Sequence, residues 1–367
     1  MAAARAGYAV TAIDAFADLQ TVQVAETAIV VNCGQYGFEA EALLAAIAKL
    51  DASQYLGFVY GSGFEAQPDL LGKVAAFIPL IGNSPQVVAK VKASTSFFAA
   101  LEKCNIPYPK VYEALPIDID ASVYLKKHAG GCGGTHISVA QAFDSAELIS
   151  QYDQQYYYQQ WIKGHSVSLL FASNAHSIQV IGFNEQWLNP TEVLPFRYGG
   201  AVSNMALPQD IQQQLITAAE KLSVEFGLLG LNSLDAIVSD GLVYVLEINP
   251  RLSATFDLYD DSDLMDLHIQ ASQFAKLQLC QRSQSAKAHA IMYANSVIVI
   301  PSDFAWPAWV VDIPQPALQQ QEMIFLAGEP ICTVLAKAEN ADTAKQLVQE
   351  RLVKIEQLLS RIDYKET

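Results

Sequence analysis

The sequence predicts a mixed α/β and α+β chain built from several units. Over residues 1–84, short apolar stretches alternate with helical runs, as in a small parallel sheet with crossover helices. Over residues 85–282, longer strands meet at hairpin-type turns between flanking helices, an α+β body. Beyond residue 283, strand-like stretches end in one amphipathic helix. A chain of 367 residues also exceeds what a single core usually serves.

Residues 9–14, 28–32, 56–61 and 77–82 read as strands, with 39–50 helical between the second and third. Residues 1–5 resemble the inside of a first helix with no strand ahead of it. One helix over 85–105 ends at Ile106-Pro107-Tyr108-Pro109, where the two prolines fix an extended exit. Residues 124–162 read as strand, glycine-rich turn, strand and helical stretch, and 166–171 with 177–183 as an antiparallel pair. A helix over 208–226 leads to strands 232–238 and 242–248, joined by Ser239-Asp240-Gly241. In the last unit, 288–300 has strand character and 322–337 reads as short strands. Residues 343–362 form a helix with Leu347, Leu352, Ile355, Leu358, Leu359 and Ile362 on one stripe. The units are therefore set at 1–84, 85–282 and 283–367.

Hydrophobic residues make up 51% of the chain, enough for large cores. No apolar run approaches the roughly 20 residues that cross a bilayer, and no signal-type apolar core follows Met1 to Ala6. A cytoplasmic enzyme is the expectation, with dimerisation the ordinary state for one. The net charge of −16 disfavours nucleic acid and anionic membrane as partners and leaves small molecules. Cys33, Cys104, Cys132, Cys280 and Cys332 are too scattered for a zinc cluster or a disulfide framework.

The sharpest motif is Glu247-Ile248-Asn249-Pro250-Arg251 at a strand end. Strand periodicity puts Glu247 and Asn249 on one face, together with Val243 and Val245. Asp235, on the neighbouring strand of the hairpin, falls near Glu247. Three oxygen-bearing groups would then suit a hard cation such as magnesium. Arg251 can answer a phosphate or carboxylate with a planar fork. A strand end running into a turn explains Glu247 and Asn249 equally well when they are taken alone.

Lys126 lies on a strand that enters Gly130-Gly131-Cys132-Gly133-Gly134, well placed to meet phosphates held by backbone N–H groups. No Gly-Lys-Ser/Thr follows, so the loop is not a P-loop. A glycine-rich hairpin with a solvated lysine is the plain alternative. Of the two lysines here, Lys126 is expected to be the ligand and Lys127 to face away. Arg197, within Phe196-Arg197-Tyr198-Gly199-Gly200, is a second candidate for gripping a carboxylate, or an exposed turn residue.

Taken in order, Lys126 with Gly130–Gly134, the segment Gln159-Gln160-Trp161-Ile162-Lys163-Gly164, and Asp235 followed by Glu247 to Arg251 resemble the ATP-grasp superfamily over residues 5–270. The resemblance implies a grip on ATP between two α+β subdomains, with a parallel-sheet domain ahead of them. Asp235, Glu247 and Asn249 would hold one or two Mg2+, with Mn2+ as a substitute. Lys126 and the loop glycines Gly131, Gly133 and Gly134 would meet phosphate, while Gln159, Gln160, Trp161 and Ile162 would form the hinge beside adenine. Three positions depart from the pattern: Gln159 replaces a glutamate, Ser166 stands at the ribose position, and Ser94 stands where a lysine is usual, with Lys92 the preferred substitute. The implied activity is an ATP- and Mg2+-dependent carboxylate–amine ligase working through an acyl phosphate, with Lys126, Arg197 and Arg251 catalytic. The alternatives are a carboxylase, a kinase-like enzyme, or a nucleotide-binding regulator without turnover. The chain further resembles a branch associated with one-carbon cofactor synthesis (methanofuran or pterin) in methylotrophic bacteria. Gly130 to Ile137, Gly182 to Trp187, Phe196 to Gly200 and Trp306-Pro307-Ala308-Trp309 carry that likeness, which implies glutamate as the amine substrate.

Overall fold

The protein is described by a computed structural model covering residues 2–34, 36–141, 156–259, 263–277, 285–313 and 321–362. At the amino end Thr11–Asp14 pairs in parallel with Thr27–Val30, and Phe58–Val59 in parallel with Leu80–Ile81. The four expected strands thus exist but are shorter, and among the described residues they form two separate pairs rather than one sheet. A cavity of about 580 Å³ lies between the pairs. Leu43, Ile47, Phe64, Leu71 and Val74 form the core of this unit.

The single helix expected over 85–105 is two helices, Pro85–Lys92 and Ser94–Lys103, broken at Ala93, whose ψ of 115° is extended. Ser84 caps the first by accepting from the Val87 N–H, and Pro85 sits where a missing N–H costs nothing. Ser94, Thr95 and Ser96 favour a helix start over a helix interior, so the chain re-enters a helix there. Lys92 consequently ends the first helix instead of lying mid-helix.

Residues 111–160 contribute a four-stranded antiparallel sheet in the order Val111–Tyr112, Tyr156–Gln160, Tyr124–His128, Ile137–Val139. Its outer face is closed by Leu115, Tyr124, Ala140 and Tyr158. The helical stretch expected up to residue 162 falls outside the described residues before 156, and its described part is instead the strand Tyr156–Gln160, which pairs on both sides with neighbouring strands. The larger sheet has eight strands among the described residues. Their order is Leu242–Asn249, Leu229–Ser239, His165–Asn174, Ile178–Leu188, Tyr198–Val202, Ala286–Tyr293, Pro330–Ala338, Val310–Val311. The sheet therefore runs across the boundary set at 282–283. Helix Gln209–Phe226 covers one face through Ile211, Leu215, Leu222 and Phe226, which meet Val167, Leu169, Leu234 and Val245. Helix Ala341–Ser360 covers the strands after residue 286 through Val348, Ile355 and Leu359.

Helix Leu264–Phe274 packs on the other face and is pinned by His268. Its Nδ1 accepts from the Leu231 N–H at 2.9 Å, and Nε2 lies 3.1 Å from the Ile81 carbonyl, an arrangement that uses the neutral imidazole fully. Burial lowers its pKa to about 4. Because this lies below the unfolded value of about 6.5, the unfolded chain binds the extra proton. Stability is then complete above pH 6.5 and falls as pH drops toward 4. At pH 5 the expected loss from His268 is about 2 kcal/mol. Urea unfolding from pH 7 to pH 5 measures it, and H268Q should flatten that slope.

Candidate active site

The hairpin of Leu229–Ser239 and Leu242–Asn249 sets Asp235 opposite Glu247 and Ser233 opposite Asn249. A bulge between Asp235 and Ala236 shifts the register, so Ala236 pairs with Val245 while Asp235 pairs with Glu247. The extra residue reverses which side chains face out. Val243 and Val245 point into the core under helix Gln209–Phe226, whereas Glu247 and Asn249 share the opposite, polar face with Asp235 and Ser233. This corrects the alternation argument, which had placed the carboxylate on the apolar face.

On that face the Asn249 amide donates to Asp235 Oδ2 at 2.9 Å, and Gln186 Nε2 donates to Asp235 Oδ1 at 3.3 Å. The Lys92 ammonium lies 2.9 Å from Glu247 Oε2 and 3.0 Å from Asn249 Oδ1. The lysine side chain is 6% exposed and the glutamate 38%, so the carboxylate keeps an open side. The two acids titrate as a pair. Burial, then the Glu247 charge, push Asp235 up. Partial burial acts the same way on Glu247, but Lys92 beside it, with Lys127 and His136 nearby, holds it down.

Lys127, not Lys126, faces these acids. In the strand Tyr124–His128, Lys126 pairs with Tyr158 and Lys127 with Tyr157. Tyr158 belongs to the outer core, while Tyr157 turns toward Phe98 and the cleft. Lys127 is buried, which lowers its pKa, while the charges of Glu247 and Asp235 oppose that. Lys126 instead places its Nζ 4.9 Å from the centre of the Tyr156 ring. Period-2 alternation alone favoured neither lysine; the outer core of Leu115 and Tyr158 decided it.

The glycine loop lies down over the site. A Cβ on Gly130 would strike the Glu65 carbonyl, and one on Gly134 would fall on the Phe196 carbonyl oxygen, both at left-handed φ of +73°. Gly131 packs equally tightly against the His136 ring, while Gly133 accepts from the Tyr198 N–H at 2.9 Å. Beneath the loop is a cavity of about 20 Å³, edged by Lys92, His136, Tyr157 and Glu247. That is room for about one water.

The hinge residues connect the two sheets. Gln159 is buried, and its Nε2 has no hydrogen-bond partner among the described residues. Gln160 N donates to the Lys110 carbonyl and Trp161 N to that of Val123, both at 2.8 Å. Trp161 is 42% exposed, not a core residue, and meets the Phe196 ring edge-on. Ile162 is half-buried beside it, and Ser166 is the second residue of the long strand His165–Asn174, in register with Ile237.

Both arginines expected to be catalytic are engaged inside the protein. Arg251 Nε forms a buried ion pair with Glu65, Nη1 donates to the Leu252 carbonyl at 3.1 Å, and Nη2 donates to Asn249 Oδ1 at 3.3 Å. Arg197 donates from Nε and Nη2 to Asn189 and lies 3.7 Å over the Tyr293 ring. Arg197 is thus a packing anchor beside the site, and Arg251 a strut from Glu65 to Asn249. Glu65 gave no signal in the sequence, because its role comes from a partner 186 residues away. Removing its charge strands a buried guanidinium. E65Q is expected to cost about 3 kcal/mol in urea unfolding, where an exposed pair would cost under about 1 kcal/mol.

An ATP-grasp domain profile matches residues 92–255. An uncharacterized protein of Methanocaldococcus jannaschii is 23% identical over 295 residues, 77% of this chain and 70% of that one. The biotin carboxylase domain of Hydrogenobacter thermophilus 2-oxoglutarate carboxylase, solved as a dimer with MgADP, ADP and bicarbonate, superimposes with a TM-score of 0.72. Identity there is 12%, over 95% of this chain and 85% of that one. The N5-carboxyaminoimidazole ribonucleotide synthetase of Thermus thermophilus gives a TM-score of 0.63 at 12% identity, covering 96% and 94%. The protein therefore has the ATP-grasp fold, with accessory amino- and carboxyl-terminal regions arranged as in biotin carboxylase. No described helix is long and apolar enough to cross a membrane.

Proposed function

We propose that this chain is an ATP- and Mg2+-dependent enzyme that phosphorylates a small carboxylate, bicarbonate first among them, and passes the activated carbonyl to an amine. The observation carrying this reading is the meeting of Lys92, Lys127, Asp235, Glu247 and Asn249 under one glycine loop. Bicarbonate ranks above larger carboxylates because the similar solved enzymes carry carboxylation in their names and one holds bicarbonate. A carboxylase acting on nitrogen is the case of carboxylate–amine joining in which the carboxylate is bicarbonate, so the two readings share one chemistry.

The donor set suits the cation. Among the described residues no cluster of three His, Cys, Asp or Glu stands ready for a metal, but two carboxylates and an amide oxygen are hard donors of the kind Mg2+ takes. The Lys92 ammonium already bridges the Glu247 and Asn249 oxygens as a cation would. When bound, the metal would supply charge neutralisation at the phosphates. Lys127 and Lys92 would add positive charge from the protein, and Gln159 with Trp161 and Ile162 would line the base. The glycine loop would lift to admit a triphosphate, for which 20 Å³ is far too little.

ADP release with Mg2+ and bicarbonate tests this directly, with a panel of amines and amino acids added in turn. Bicarbonate-dependent release supports the carboxylating reading. Release that needs another carboxylate and ignores bicarbonate supports the broader ligase, in which the resemblance to one-carbon cofactor synthesis makes glutamate the first amine to try. No release under any combination overturns both.

A further inference from the structure

The two strand pairs at the amino end leave a gap between them. Every residue from Tyr8 to Asp14 and from Gln54 to Ser62 lines the 580 Å³ cavity, whereas of the partner strands only Ile81 does. The cavity is therefore flanked by Thr11–Asp14 on one side and Phe58–Val59 on the other. Thr11 Oγ1 lies 3.1 Å from Tyr55 Oη, which ties the starts of the two stretches together.

Backbone direction shows what these walls offer. Val10 and Asp14 turn their carbonyls to the N–H groups of Glu26 and Val31. Peptide groups alternate along a strand, so Thr11 and Ile13 point theirs the other way, into the cavity. Phe58 N–H donates to the Pro79 carbonyl, so Gly57 and Val59 do the same from the opposite wall. Among the described residues no strand pairs with either edge. Edges of this kind are normally paired or covered, and here Ile13 and Val59 are only partly buried.

The space has the dimensions of a strand. One residue in a packed sheet fills about 3.3 by 4.8 by 10 Å, or about 160 Å³, so the cavity holds about four residues. Thr11–Asp14 has the same length, 4 residues. Met265 and Ile269 line one part of the cavity and Leu43 and Leu50 another, and these belong to two separate cores. A strand covered on both faces is a continuous apolar run, not an alternating one. Asp14 and Glu26 stand at the walls and no lysine or arginine lines them, so a basic flank is the complement. A second copy has no strand to give, because every described strand is already paired on at least one edge.

We propose that the gap receives a short extended segment of another polypeptide, an apolar run of about four residues with a basic flank, as a strand hydrogen-bonded to both walls. Nothing in this docking depends on the ATP chemistry.

Lysine-flanked peptides with four-residue cores drawn from Val, Ile, Leu and Ala are the probes, titrated into the full chain by calorimetry. At least one is expected to bind one to one and to slow amide exchange at Thr11, Ile13 and Val59 about tenfold or more. The same peptide N-methylated at alternate amides keeps its side chains and charge, and should bind about tenfold more weakly or worse. T11P removes an N–H that faces the cavity and none that pairs with Thr27–Val30. It should weaken binding to a similar degree while the circular dichroism spectrum stays that of wild type. Failure of every peptide in the set to bind overturns the proposal. Equal binding of the N-methylated form does so too, leaving an apolar small-molecule pocket. Concentration-dependent protection of the same amides in the chain alone also overturns it, placing a second copy in the gap.

Discussion

Replacing Glu247 with glutamine is expected to lower ATP turnover by about 100-fold or more, close to background, while leaving the fold intact. Glu247 is held in its charged form, with Lys92 2.9 Å away and its carboxylate still 38% exposed. Glutamine keeps the shape and removes the charge, so Lys92 and a divalent cation both lose their common partner. The steady-state rate of ADP release at saturating Mg2+ measures the effect. A rate within threefold of wild type would remove Glu247 from the chemistry.

The second large effect separates two adjacent lysines. K127M is expected to weaken ATP binding and turnover by about 100-fold, because Lys127 is the lysine of this strand directed at Glu247 and Asp235. K126M should stay within about threefold of wild type, since the Lys126 ammonium sits over Tyr156 on the other side of the strand. Stability should move the opposite way. A buried ammonium is costly to desolvate, so methionine at 127 is expected to raise the unfolding midpoint slightly even as it removes activity. Fluorescence titration with a nucleotide analogue and a urea melt on the same two variants measure both. Equal losses in the two variants would return Lys126 to the site.

The sequence made the site's parts legible and left its wiring hidden. Asp235, Glu247 and Asn249 were readable because a hairpin turn fixes which strands are neighbours, and Ser239-Asp240-Gly241 marks that turn plainly. Their facing was not readable. One extra residue on the partner strand, Leu246, left unpaired opposite the Asp235–Ala236 step, reverses the side of the sheet on which Glu247 lies, and no local composition announced it. Lys126 and Lys127 posed the same difficulty, since a half-turn of strand parity depends on the outer packing of Tyr158 and Leu115. The position of Lys92 depended on a helix break at Ala93. The partners of the arginines were hidden for a different reason. A free guanidinium and one already paired to Glu65 or stacked on Tyr293 look alike in sequence. The fold class was better determined than the site, because hydrophobic periodicity sums over many residues while side-chain direction turns on one.

Calorimetric titration of the full chain with a non-hydrolysable ATP analogue, with Mg2+ and then with EDTA, tests most directly whether these oxygens and lysines grip a triphosphate through a cation. Binding that needs Mg2+ and is lost in both E247Q and K127M is the expected result. Binding that is absent, or that proceeds equally well without a divalent ion and in both variants, would contradict it.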